Sequence, residues 1–155
     1  MRTLLLIPIF ALCMSPSAWA RIGDTLQECQ KRYGESKKVA GPNHYFKKGG
    51  FSIVVTLFEN KVDFIGYWKA EENVLGISVA MSENEIEQLL KVNSGERVWK
   101  KREVISVNQE WQTEDGDLAA SYRTLENNLV IATKGNLERA AAAKKSKENK
   151  ALEGF

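Results

Sequence analysis

Two apolar runs joined by a three-residue turn constrain this chain more than any other feature. Phe51-Ser52-Ile53-Val54-Val55-Thr56-Leu57-Phe58 has period two, with Phe51, Ile53, Val55 and Leu57 on one face. Ser52 and Thr56 mark the other face as at least partly wet. Glu59-Asn60-Lys61 follows as a hairpin turn, and Val62 to Trp68 returns as the partner strand.

The rest of the chain reads around this hairpin. Arg21 to Gly34 is a short helix in which Asp24 or Thr25 caps free amides and Gln27 or Glu28 returns the bond. Its buried stripe is Leu26, Cys29 and Tyr33. After Gly41-Pro42, His44 to Lys47 is strand-like, and Val74 to Ala80 is read as a further strand. Ser82-Glu83-Asn84-Glu85 is a capping box opening a second helix, with Ile86, Leu89 and Leu90 as its apolar stripe up to Gly95. Val98 to Val107, extending to Trp111, is read as one extended segment. Leu118 to Leu125 then passes through Glu126-Asn127-Asn128 into Leu129 to Thr133. Leu137 to Phe155 is rich in alanine and lysine, which predicts a solvated, fraying helix without a wide apolar stripe.

The two halves match at a fixed offset. Glu59-Asn60 and Glu126-Asn127 lie 67 residues apart (126 − 59), and the same offset pairs Gly49 with Gly116, Val62 with Leu129 and Phe64 with Ile131. Any two helix-then-hairpin segments could align in this way; the reading taken is an internal repeat.

Ile22-Gly23-Asp24-Thr25, Tyr33-Gly34-Glu35, His44-Tyr45-Phe46 and Leu57-Phe58-Glu59-Asn60-Lys61-Val62 resemble the small envelope modules of the SmpA/OmlA (BamE-like) family. Two such units in tandem are similar to the arrangement of beta-lactamase inhibitory protein. The resemblance implies short helices on an antiparallel sheet, and a protein that binds other proteins and catalyses nothing. It carries over no contact residue.

The leader bounds the compartment. Arg2, an apolar run from Leu4 to Met14 and Ser17-Ala18-Trp19-Ala20 predict a signal peptide cut after Ala20, with a periplasmic or extracellular product. An 11-residue run (4 to 14) is short for a bilayer span, which needs about 20 residues. Cys13 would suit lipid attachment, but Leu12 before it is larger than that processing site accepts. Removing Arg2 with the leader takes the net charge from +2 to +1, which leaves no nucleic-acid footprint. Only Cys29 then remains, so no intramolecular disulfide forms.

Catalytic equipment is sparse. His44 is the one histidine, beside a Gly-Pro turn, and one His with one Cys supplies too few ligands for zinc. The carboxylate clusters Glu71-Glu72, Glu83-Glu85-Glu87 and Glu114-Asp115-Asp117 read as solvated turns or helix faces. No catalytic, metal or cofactor residue is therefore assigned. Binding surfaces are enriched in Trp, Tyr and Arg, which points to Tyr67, Trp68, Trp99, Trp111 and Arg123. In a domain this size the tryptophans can all be core, which is the favoured reading; the alternative places them on a partner face with Thr56 and Arg123, away from the helices.

The expected fold is α+β, with short helices on one face of an antiparallel sheet and two helix-plus-hairpin repeats (21–81 and 82–136), followed by the helical tail 137–155. The expected function is an exported, non-catalytic protein-binding or inhibitory module with another protein as partner. The alternatives are an envelope-assembly or wall-associated structural protein and, further off, a small hydrolase.

Overall fold

The computed structural model describes residues 21–76 and 78–152. They form α1 (Leu26–Tyr33), β1 (Lys38–Ala40), β2 (Asn43–Lys48), β3 (Phe51–Phe58), β4 (Lys61–Lys69), α2 (Glu83–Asn93), β5 (Trp99–Arg102), β6 (Gln109–Thr113), β7 (Leu118–Arg123), β8 (Asn128–Thr133) and α3 (Lys134–Leu152). Signal peptide and cleavage site lie outside the described residues. No helix among those described is long and apolar enough to cross a membrane.

All eight strands join one antiparallel sheet in the order β1-β2-β3-β4-β8-β7-β6-β5. This corrects the expected fold class. The architecture is a large sheet with three helices, not short helices on two helix-plus-hairpin repeats; each half adds four strands, and the sheet dominates. Lys38–Ala40 is too short and too polar to read as a strand, whereas Trp99–Arg102 lies within the segment expected to be extended. They exist because neighbouring strands satisfy their backbone groups. The extended segment expected over 98–111 is a hairpin that breaks at 103–108, and the strand expected at 74–80 is reduced to an isolated bridge between Glu72 and Ser78.

Local chemistry sets the helix starts. Thr25 and Glu28 form a reciprocal capping box on α1, and Ser82 and Glu85 do the same on α2. The β3–β4 turn uses Glu59 and Asn60 at φ 49° and 61°, the left-handed pair that a tight two-residue hairpin turn requires.

The core lies between the sheet and α1 and α2. One cross-sheet row runs Phe46, Ile53, Tyr67, Leu129 and Tyr122, and the next runs Val55, Ile65, Ile131 and Ala120. Cys29 and Tyr33 of α1 and Ile86, Leu89 and Leu90 of α2 close over them. Each fully buried aliphatic here contributes about 1.5–3 kcal/mol. Polar bonds tie the helices across this core. Asn93 Nδ2 donates to Tyr67 Oη at 3.1 Å and to Leu89 O at 2.7 Å, and the hydroxyls of Tyr67 and Tyr33 lie 3.1 Å apart.

A bulge between Thr56 and Leu57 breaks the expected pairing of the halves. Val62 is core, but Phe64 pairs with Ala132 on the opposite face, while Ile65 takes the place opposite Ile131. The extra residue is Asp63, which is buried. Asn136 Nδ2 donates to its Oδ2 at 3.2 Å, and Arg139 forms an ion pair with it while its guanidinium lies 3.6 Å from the centroid of the Phe58 ring. The base of α3 is therefore pinned, whereas 140–151 are exposed throughout.

A chain ended after Ala140 should keep its thermal midpoint within about 2 °C of the parent, because the lost residues bury little. Ending it after Gly135 strands the Asp63 carboxylate and should cost about 1–3 kcal/mol. Circular-dichroism melting of both chains checks the contrast.

Candidate partner-binding face

Alternation along β2 to β8 leaves one sheet face without α1 and α2. Its middle row runs Tyr45, Val54, Gly66, Val130, Ser121, Glu110 and Arg102. The adjacent row runs Lys47, Ser52, Trp68, Asn128 and Arg123, and a third runs Asn43, Thr56, Phe64, Ala132 and Ala119. Thr56 and Arg123 thus share this face, as expected, and Thr56 Oγ1 donates to Asn43 Oδ1 at 2.7 Å.

Trp68 sits near the centre for a physical reason. Gly66 has no side chain, so the indole lies over it: an added Cβ would meet Trp68 ring carbons at 2.9 Å and Val54 Cγ1 at 3.0 Å. An aromatic ring over a strand glycine shields backbone that the glycine would otherwise expose. A recess of about 460 Å³ beside it is lined by Lys38, Tyr45, Lys47, Ser52 and Trp68. Lys38 Nζ stands 5.7 Å from the Tyr45 ring centroid, within cation–π range. On the far side a recess of about 260 Å³ is lined by Phe64, Arg102, Glu110, Arg123 and Leu137.

The face is cationic. Lys38, Lys47, Lys100, Arg102 and Arg123 meet two carboxylates, Glu110, which lies 3.8 Å from Arg102, and Glu114, which lies 2.9 Å from Lys100. Lys47 and Arg123 have no ion pair among the described residues. Asn128, between Trp68 and Arg123, is buried, and its carboxamide oxygen accepts no hydrogen bond among the described residues.

The five aromatic and basic residues singled out from the sequence do not converge. Trp68 and Arg123 lie on this face. Tyr67 points the other way and is fully buried, with burial pushing its phenol up to about 12. Trp99 and Trp111 share the helix side, because the β5–β6 hairpin sets Trp99 opposite Thr113 and Trp111 opposite Lys101. There Trp99 Nε1 donates to Leu90 O at 2.8 Å, and the two indoles flank a groove beside α2 with Ile86 and Leu90. Tyr45 and Phe64 were missed. The parity of His44-Tyr45-Phe46 could have found Tyr45; the bulge hides Phe64.

Glu85 and Asp115 of the carboxylate clusters do structural work. The Thr113 hydroxyl, then the Asp117 N–H, hold Asp115 below the ordinary carboxylate value, and Arg97 pairs with it at 2.8 Å. Backbone bonds at Thr25 and Ser82 lower Glu28 and Glu85 in the same way. His44 is on the helix-side row opposite Val55, apart from all of these.

Cys29 is buried, and desolvation pushes its thiol from 9.0 to about 12. A protonated, enclosed thiol is a poor nucleophile. Native protein should therefore react slowly with a thiol reagent at pH 8 and rapidly once unfolded. The alkaline side follows by linkage. The unfolded chain ionises Cys29 from about pH 9 and Tyr67 from about pH 10, while the folded chain holds both protons until about 12. Stability should fall as pH rises through that window, which melting curves from pH 8 to 11.5 would show.

No family model matches the chain, and no curated protein matches it. Among solved structures it is similar to a cysteine-rich secretory protein from Staphylococcus aureus, at 14% identity and TM-score 0.42 over 75% of this chain and 44% of that one. It is also similar to an extracellular protein containing an SCP domain from Bacillus anthracis, at 12% identity and TM-score 0.43 over 86% of this chain and 52% of that one. The chain thus spans about half the length of these structures. The expected resemblance to the SmpA/OmlA (BamE-like) family is corrected by the fold itself: one eight-stranded antiparallel sheet is not a small α+β module of that kind.

Proposed function

We propose that the chain is an exported, non-catalytic protein-binding module that holds an acidic partner surface on the open face of its sheet. The observation that carries this reading is Trp68 laid over Gly66 at the centre of an uncovered face, ringed by Tyr45, Phe64, Lys47 and Arg123. Interface anchors are typically Trp, Tyr and Arg at the middle of a patch, with charge complementarity setting the partner's sign. Export rests on the leader read from the sequence.

Affinity capture with the parent, Arg123→Glu and Trp99→Ala as parallel baits tests the reading. A specific partner should be retained by the parent and by Trp99→Ala, lost with Arg123→Glu, and released by salt. A partner retained by Arg123→Glu but lost with Trp99→Ala would move the interface to the groove beside α2.

A further inference from the structure

The recess beside Trp68 joins an aromatic slot to a rim of uncompensated positive charge. Its volume is about 460 Å³, and Lys37, Lys38, Tyr45, Lys47, Ser52 and Trp68 line it. Cavities of roughly 300–1,000 Å³ are the size that takes small molecules.

Strand register sets its shape. Lys47, Ser52 and Trp68 are consecutive in one cross-sheet row, and Tyr45 precedes Lys47 by two residues on the same face of β2. β2 and β4 flank β3, so with about 4.8 Å between neighbouring strands their side chains stand about 9.6 Å apart. Ser52 is the short side chain between them and leaves a slot above itself. A planar ring standing in that slot lies about 5 Å from each wall, within the roughly 4.5–7 Å at which aromatic rings pair. Trp68 is held as one wall because its indole rests over Gly66, where an added Cβ would meet it at 2.9 Å.

The rim sets the sign of the ligand. Lys38 Nζ stands 5.7 Å from the Tyr45 ring centroid. No acidic residue lines the recess: Glu35, two residues before Lys37, and Glu71, three after Trp68, stand outside its lining. No ion pair among the described residues involves Lys37, Lys38 or Lys47. Three ammonium groups around an apolar slot concentrate anions there and disfavour cations.

We propose that this recess binds a small planar aromatic anion, its ring between Tyr45 and Trp68 and its carboxylate or phosphate among Lys37, Lys38 and Lys47. The inference does not rest on the proposed partner: Arg123, on which partner capture is tested, does not line the recess, and the test contains no partner.

The test is a titration of the isotope-labelled chain with naphthoate, followed by two-dimensional NMR, with naphthamide as the neutral isostere. Shifts should saturate with a Kd of about 1 mM or tighter, the strength expected of a ligand of this size. They should centre on the Trp68 indole N–H and the amides of Tyr45, Lys47 and Ser52. Naphthamide should bind at least about fivefold more weakly, and about 0.5 M salt should remove most of that difference. The double variant Lys38→Glu, Lys47→Glu should weaken naphthoate at least about tenfold while leaving naphthamide binding and the melting midpoint unchanged, since both side chains are exposed. Trp68→Ala should weaken both compounds, and Trp99→Ala neither.

Absence of shifts up to about 10 mM naphthoate would overturn the proposal. So would equal affinities for naphthoate and naphthamide, undiminished binding by the double variant, or shifts centred on Trp99 and Trp111, which would move the ligand to the groove beside α2. An acidic peptide that shifts the same resonances where naphthoate does not would assign the recess to a protein segment instead.

Discussion

Tyr67→Ala should lower the thermal unfolding midpoint by roughly 10 to 20 °C, the largest effect expected of any single substitution in the sheet. Tyr67 is fully buried in the central cross-sheet row, and its hydroxyl joins Tyr33 of α1 to Asn93 of α2. Truncating a buried aromatic to alanine costs about 3–5 kcal/mol. For a domain of this size each kcal/mol moves the midpoint by about 3–4 °C. Tyr67→Phe separates packing from bonding: it keeps the ring and removes the oxygen that meets Asn93 Nδ2, and should cost about 1–3 kcal/mol. Melting followed by circular dichroism reads both. A fall of less than about 3 °C in Tyr67→Ala would show that α1 and α2 are not held together through this residue.

Trp68→Ala should produce the opposite pattern, with partner capture weakened about thirtyfold, or about 2 kcal/mol, and a much smaller change in melting. The residue adjoins Tyr67 in sequence, yet its ring lies over Gly66 on the uncovered face. Gly66→Ala offers a second route to the same result. The new methyl would stand 2.9 Å from the indole and 3.0 Å from Val54, so the ring must lift without any change to Trp68 itself. Capture should fall in both variants while Trp99→Ala leaves it intact. Equal capture by the parent, Trp68→Ala and Gly66→Ala would remove the open face as the binding surface.

Local features were legible in the residues. Ser82 and Glu85 are spaced as a capping box, and the structure starts α2 there; Thr25 and Glu28 do the same for α1. Period two in Phe51–Phe58 placed Phe51, Ile53 and Val55 in the core, and Glu59-Asn60 formed the turn. These features depend on interactions within a few residues, so the residues themselves specify them.

The edges and the face assignments were decided elsewhere. Lys38–Ala40 is a strand because β2 offers it unpaired backbone groups, and no pattern of its own announces it. One bulge at Thr56 and Leu57 turned Phe64 outward and put Asp63 under Arg139, residues 76 apart in sequence. A one-residue slip in a period-two element moves every later side chain to the other face, and nothing in the local sequence marks where the slip falls. The turn at 103–108 likewise returned Trp111 to the side of Trp99 and away from Trp68. Sequence alone determined the caps, the turn of the central hairpin and the core face of its first strand, because those energies are local. Tertiary structure alone decided the strand order, the edges and which aromatic residues share a surface, because those depend on backbone pairing and packing between segments far apart in the chain.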